Sequence, residues 1–241
     1  AINQASATIT VDVQGGLAAE PAEGFIVTLF NPTNGLVIGA GTADGTIIDG
    51  SGIVYRASID SHATEANGQS REPTLAPGMV AFTSRADNLV AGDFNELDDI
   101  FVKDLTTGIV QRISMGIGGA EATGASFRPV FAPTGGKIAF VSQADNLVFG
   151  DLNFTQDIFV WSNGIITRVS TDSLGGEANA FSDAPAFSSD GSKLVFVSAA
   201  NNLMAGDTNG TEDIFVKDLL SGQIVRVNTS ALGVEAQGDG E

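Results

Sequence analysis

The residues with the most chemistry to offer share one pattern, Asp-x-Asn-x-x-x-Asp. It occurs three times: Asp93, Asn95 and Asp99; Asp151, Asn153 and Asp157; Asp207, Asn209 and Asp213. Carboxylates and side-chain amides are hard oxygen donors, and calcium takes six to eight of them. Oxygens at the first and third positions of a tight loop converge, and the last Asp closes the site where the loop enters a strand. These nine residues are therefore the expected metal ligands, with Ca2+ as the expected cofactor. The pattern is not an EF-hand, because the mid-loop glycine and the later glutamate are absent. A structural reading competes with the ionic one. Asp and Asn in such loops form Asx-turns, and an Asp ahead of Ile-Phe-Val can accept backbone hydrogen bonds. Recurrence does not separate the two readings, since a structural turn would also recur.

Other catalytic constellations are missing from the sequence. There is one histidine, His62, in a polar stretch, and no cysteine. That excludes a thiolate zinc site, a disulfide framework and a cysteine nucleophile. No Gly-x-Ser-x-Gly elbow, Walker loop or dinucleotide fingerprint is present. The expectation is a chain that is not an enzyme. A carboxylate-pair hydrolase stays open, because 29 acidic residues offer too many pairs to choose among. Arg56, Arg112, Arg168 and Arg226 recur in phase, and cross-strand pairing with carboxylates such as Asp104 or Asp218 is expected. Glu65-Ala66, Glu121-Ala122, Glu177-Ala178 and Glu235-Ala236 read as connecting loops.

The chain that must position these residues has 241 of them, 43% hydrophobic, with 30 glycines and a formal charge of −18. The apolar share supports a packed core, and the glycines suggest many turns and few long helices. The charge argues against nucleic acid and against an anionic membrane surface. It suits cations or solubility outside the cell. No apolar window is long enough to span a membrane.

The Asp, Arg and Glu landmarks all recur every 56 to 58 residues, which is a structural repeat. Each repeat contains about four strand signals. Ile138–Ser142 and Leu194–Ser198 are short apolar runs suited to strands buried on both faces. Asp213–Leu219, the turn Ser221-Gly222 and Gln223–Val227 read as a hairpin. Pro185–Ser188 precedes the turn dipeptide Asp190-Gly191. The expected strands lie near 80–84, 99–105, 137–142, 157–162, 193–198 and 213–219, with almost no helix.

The stretch Pro185-Ala186-Phe187-Ser188-Ser189-Asp190-Gly191-Ser192-Lys193-Leu194-Val195-Phe196-Val197-Ser198 resembles the TolB-like (WD-like) propeller repeat. Ser189 stands where that family usually has proline. The second unit departs further, at Ala132-Pro133-Thr134-Gly135-Gly136-Lys137, and the first is shortened to Ala76-Pro77-Gly78. The resemblance covers roughly residues 53–241 and implies propeller blades, but no single activity. It divides this part into units 53–108, 109–164 and 165–222 and the start of a further unit, 223–241.

Residues 1–50 do not follow the repeat. Ala7–Val13 alternates as a half-buried strand should. Glu20-Pro21-Ala22-Glu23 leads into Gly24–Phe30, then Asn31-Pro32-Thr33-Asn34-Gly35, and Gly41–Asp49 closes the segment. This is similar to the C-terminal half of a Calx-β domain, an immunoglobulin-like sandwich.

The expected fold is therefore all-β. About three four-stranded antiparallel blades follow a partial Ig-like β-sandwich segment. Three blades leave open sheet edges at 53–58 and 223–228, which predicts contact with other protein. The partners expected are further domains of a longer chain, other subunits or a second copy. The expected function is a non-catalytic binding, adhesion or assembly module, stabilised by calcium. Its expected location is the bacterial cell surface, the extracellular space or the periplasm. The alternatives are a propeller domain of a larger secreted hydrolase, and a structural subunit that docks through its sheet edges.

Overall fold

The computed structural model describes residues 23–28, 42–47, 56–231 and 234. Two compact units divide at Tyr55/Arg56. In the first, β1 (Glu23–Thr28) pairs antiparallel with β2 (Thr42–Ile47). The strand expected at 7–13 and the first half of the sheet edge expected at 53–58 lie outside the described residues.

The second unit consists of three four-stranded antiparallel sheets. In the first, β3 (Ser70–Ala76), β4 (Met79–Ser84), β5 (Asp99–Asp104) and β6 (Val110–Arg112) lie in sequence order. The second holds β7 (Ser126–Phe131), β8 (Ile138–Ser142), β9 (Asp157–Ser162) and β10 (Ile165–Arg168). The third holds β11 (Ser182–Phe187), β12 (Lys193–Ser198), β13 (Asp213–Asp218) and β14 (Ile224–Arg226). A single 3-10 turn, Ile117–Gly119, is the one helical element among the described residues. The all-β, blade-based propeller architecture expected from the repeat is what the chain adopts.

The second and third strands of each blade are nearly continuous apolar residues, and in the first two blades both of their faces are buried. One face carries a pair of facing rings: Phe82–Phe101, Phe140–Phe159 and Phe196–Phe215, with centroids 5.9, 5.9 and 6.0 Å apart. The opposite face carries smaller aliphatic side chains, which receive the rings of the next blade. Ala81, Ile100 and Ile113 of the first blade share a core with Phe131, Phe140 and Phe159 of the second. Val141, Ile158 and Val169 of the second share one with Phe196 and Phe215 of the third. Blade stacking is thus ring face against aliphatic face, repeated.

Each first strand carries a bulge, which falls between Arg71 and Thr74, between Phe127 and Val130, and between Asp183 and Ala186. Within the bulges Glu72, Arg128 and Ala184 take φ of 53°, 54° and 53°, each just before a proline. A bulge turns its side chain out of the ladder, and two of these side chains reach the following blade. Glu72 accepts from the backbone N–H of Arg128 at 2.8 Å. Arg128 pairs with Asp183.

Phe159→Ala is expected to cost about 3–5 kcal/mol, because it empties the space between two blades. Phe149→Ala, on an exposed loop, should stay within about 0.5 kcal/mol of wild type. Urea denaturation of both variants checks the contrast.

Candidate functional site

The three Asp-x-Asn-x-x-x-Asp segments are the connections that lead into β5, β9 and β13. The side chain of each first and last Asp is buried. Each Asn forms an Asx-turn through its Oδ1, which accepts from the backbone N–H two residues on. The distances are 2.9 Å to Leu97, 3.0 Å to Thr155 and 3.1 Å to Thr211. The Asn Nδ2 groups face the last carboxylate, at 3.1 Å for Asn95–Asp99 and 2.8 Å for Asn153–Asp157. Asn209 lies 3.4 Å from both oxygens of Asp213. An amide that turns its nitrogen toward the carboxylate offers that point no oxygen ligand.

Between the carboxylates stands a guanidinium. Arg112 Nη1 lies 2.7 Å from Asp93 and 3.3 Å from Asp99, and its Nη2 lies 2.7 Å from Glu121. Its Nη2 also donates to Gly92 O at 3.0 Å, which fixes the loop backbone. In the second unit Arg168 Nη1 is 2.5 Å from Glu177, 3.3 Å from Asp151 and 3.8 Å from Asp157. In the third, Arg226 Nη1 is 3.2 Å from Asp207 and 3.1 Å from Asp213. Arg56 pairs with Glu65. The arginines therefore do not pair with Asp104 and Asp218 as expected. The hairpin register sets Arg112 opposite Phe101 and Arg226 opposite Phe215, at the end of the third strand where the buried Asp begins it. Asp104 instead accepts from Thr106 and Thr107 N–H, and Asp218 pairs with Lys193 at 2.8 Å.

The Asp that begins each third strand has a further partner. Ser114 and Ser170 donate to Asp99 and Asp157 at 2.5 Å and accept from the N–H of Ile100 and Ile158. Asn228 does the same for Asp213 and Ile214. Glu121 and Glu177, expected as plain loop residues, belong to these boxes. The fixed phase of Asp, Arg and Glu was the sequence signal that joins them.

The middle box is the least completed. Asp151 Oδ2 and Arg168 Nε are buried without a hydrogen-bond partner. Carboxylate oxygens of Asp151, Asp157 and Glu177 lie within 4.8 Å of one another. Burial pushes Asp93 up to about 6, with Asp99 and Glu121 adding repulsion. Burial and the Asp157 charge push Asp151 up to about 7. Hydrogen bonds from Arg112 hold Glu121 below its ordinary value.

The boxes carry loops with an unusual exterior. Phe149, Leu152 and Phe154 are exposed on one loop, and Phe94 on its neighbour. Phe149 is 87% and Phe154 81% exposed. Phe154 also has φ of 54°. Their counterparts in the third unit are Ala205, Thr208 and Gly210, so the fold itself does not require these rings. His62 is exposed and sits 3.7 Å from Asp60.

No family model and no curated protein matches the chain. Among solved structures it is similar to TolB and to other β-propeller proteins. A protein assigned as TolB from Agrobacterium tumefaciens is 18% identical with a TM-score of 0.44, over 66% of this chain and 48% of that one. The β-propeller domain of the Trilobed protease from Pyrococcus furiosus is 16% identical with a TM-score of 0.43, over 66% and 41%. An oligogalacturonate lyase in complex with manganese is 14% identical with a TM-score of 0.43, over 68% and 43%. The chain spans less than half the length of each. A protease domain and a lyase within this group overturn the expectation that the chain is not an enzyme. Catalytic inactivity is withdrawn as a property of this chain.

Arg112→Ala should cost about 3–5 kcal/mol, since it leaves three carboxylates facing one another with no cation between them. A second outcome concerns pH. A carboxyl whose folded pKa lies above its unfolded value favours folding while it is protonated. The contribution of Asp93 and Asp151 is therefore present at low pH and lost as pH rises from about 4 to about 7. Asp190, held down to about 2 by Ser188 and Ser192, acts oppositely and loses its contribution below about pH 4. Melting temperature should therefore fall between pH 5 and 7.5, and Asp151→Asn should flatten that slope.

Proposed function

We propose that these blades form the polypeptide-binding surface of a larger extracellular, cell-surface or periplasmic protein, and that the loop Phe149–Phe154 makes the principal contact. The observation that carries this reading is Phe154. A bulky side chain in the left-handed backbone region costs about 1–2 kcal/mol, and its ring is left in solvent. The corresponding residue one unit on is Gly210, which suits that backbone without cost. Glu96 takes the same backbone in the first unit, so what sets the second unit apart is a large ring, 81% exposed, which a ligand accounts for.

The loop is also held in shape before any ligand arrives. Arg168 Nη2 donates to Gly150 O at 2.9 Å, and Leu152 N–H donates to Glu177 at 2.9 Å. A rigid apolar anchor loses little entropy on binding. Grooves of ≈ 540 Å³ and ≈ 530 Å³ flank Phe149 and Phe154. Aromatic residues, Phe among them, are enriched at interface cores, and the charge of −18 favours basic ligands. The fitting ligand is a polypeptide segment with basic and apolar residues. In an adhesion or assembly protein that segment belongs to a partner. In the propeller domain of a secreted hydrolase it belongs to the substrate. The Calx-β-like segment is proposed as a neighbouring module of the same protein.

Calcium is proposed at the middle box alone, in competition with Arg168, on the strength of its clustered oxygens and the unpartnered Asp151 Oδ2. Asp151, Asp157 and Glu177 would hold it, and it would supply charge compensation.

Selection of a random peptide library on the wild-type chain should enrich basic, aromatic sequences. Phe154→Gly should abolish that enrichment while raising the melting temperature. Equal enrichment by both proteins removes the loop from the binding site. For calcium, millimolar ion should raise the melting temperature of Arg168→Ala more than that of wild type, since the competing cation is gone. No shift in either ends the metal reading.

A further inference from the structure

We infer that the outer face of the third blade is one half of an unfinished blade interface, and that a fourth blade of the same repeat, continuing this chain, covers it. The inference is independent of the loop and of calcium.

Equivalent positions make the case. Ile100 and Ile158, on the aliphatic faces of the first two blades, are 0% exposed because the next blade's rings cover them. Ile214, the same position in the third blade, is 40% exposed. Ile113 and Val169 are 2% and 4% exposed, whereas their counterpart Val227 is 46%. Val195, Val197 and Val216 complete this apolar face and are likewise less buried than their counterparts. The ring face of the third blade is fully used, with Phe196 and Phe215 at 0%. One face of this blade is therefore packed and the other has the composition of a packed face without the burial.

What should cover it is read from the two interfaces already made. In both, the covering surface is a stacked Phe pair on the second and third strands of the following blade. That the blade continues this chain is read from the connecting turn. Each blade is preceded by a turn in which an N–H bonds a carbonyl four residues on, at 2.8 Å. These are Asp60 to Thr64, Gly116 to Ala120 and Asp172 to Gly176. The same turn forms a fourth time, after the third blade, from Ser230 to Val234 at 2.8 Å. In the first and third blades a lysine of the third strand locks the turn in front. Lys103 Nζ donates to Ile59 O at 2.8 Å, and Lys217 Nζ to Thr171 O at 2.8 Å. A fourth blade entering after this turn lands where the third blade lands on the second. Its third strand should carry a lysine or a large side chain, as Trp161 does in the second blade.

The test compares the 241-residue chain with one extended after Ala236 by a second copy of residues 179–236. Extension should slow amide exchange in β13 and β14 by about tenfold or more and reduce binding of an apolar dye. Ile214→Asp should leave the melting temperature of the 241-residue chain unchanged and lower that of the extended chain. Unchanged exchange and dye binding on extension would overturn the inference, and so would equal damage by Ile214→Asp in both chains. If the 241-residue chain self-associates and β13 and β14 are protected only in the oligomer, the occupant is a second copy and the assignment to this chain fails.

Discussion

A buried guanidinium among carboxylates is the interaction on which each blade depends. The Asp that opens the third strand lies at 0% exposure in all three units. An isolated carboxylate there would be prohibitively costly. Arginine supplies the charge, Ser or Asn supplies the hydrogen bond, and the same Ser or Asn returns to the strand backbone. The loop ahead and the hairpin behind are thereby tied to one point, together with the linker glutamates Glu121 and Glu177 in the first two units. Charge pairs of this kind contribute little net stability compared with an apolar core. Their value here is positional: they set where the third strand begins, and so which residue of the Ile-Phe-Val run faces which neighbour.

That register decides the packing. A one-residue slip would turn the Phe rings onto the aliphatic face and the aliphatic side chains onto the ring face. Neither blade interface would then form. Electrostatics at the loop and hydrophobic burial between blades are therefore coupled, since Arg112, Arg168 and Arg226 stand opposite the ring residues Phe101, Phe159 and Phe215 in the hairpin register.

Much of this was legible in the sequence. The six strands expected from apolar runs coincide with the second and third strands of the blades to within a residue or so, because apolar side chains on both faces leave an unbroken hydrophobic signature. The nine loop residues were identified as a unit, yet the guanidinium at their centre was not placed. Arg112 is far from Asp93 along the chain, and only the antiparallel return of β6 beside β5 carries it there. Asp104 was the nearer candidate on the neighbouring strand, but it lies at the wrong end of the hairpin. The exposed rings were missed for a different reason. An apolar residue in a loop reads as core until the backbone shows which way it points, and nothing local distinguishes Phe154 from a buried ring. What could have distinguished it was Gly210, one repeat on.

The first-strand bulges have an implication for the order of the units. Glu72 of the first blade addresses the second, and Arg128 of the second addresses the third, whereas Ala184 of the third has no reach. These contacts run one way round, like a written address from each unit to its successor. Three units built on one plan are consequently not interchangeable. Exchanging the first and second would put an arginine where a backbone N–H expects a carboxylate, although every strand and every ring pair would survive the exchange. The serial position of a blade is marked at the bulge residue and at its partner in the next unit, positions that the common repeat leaves free to vary.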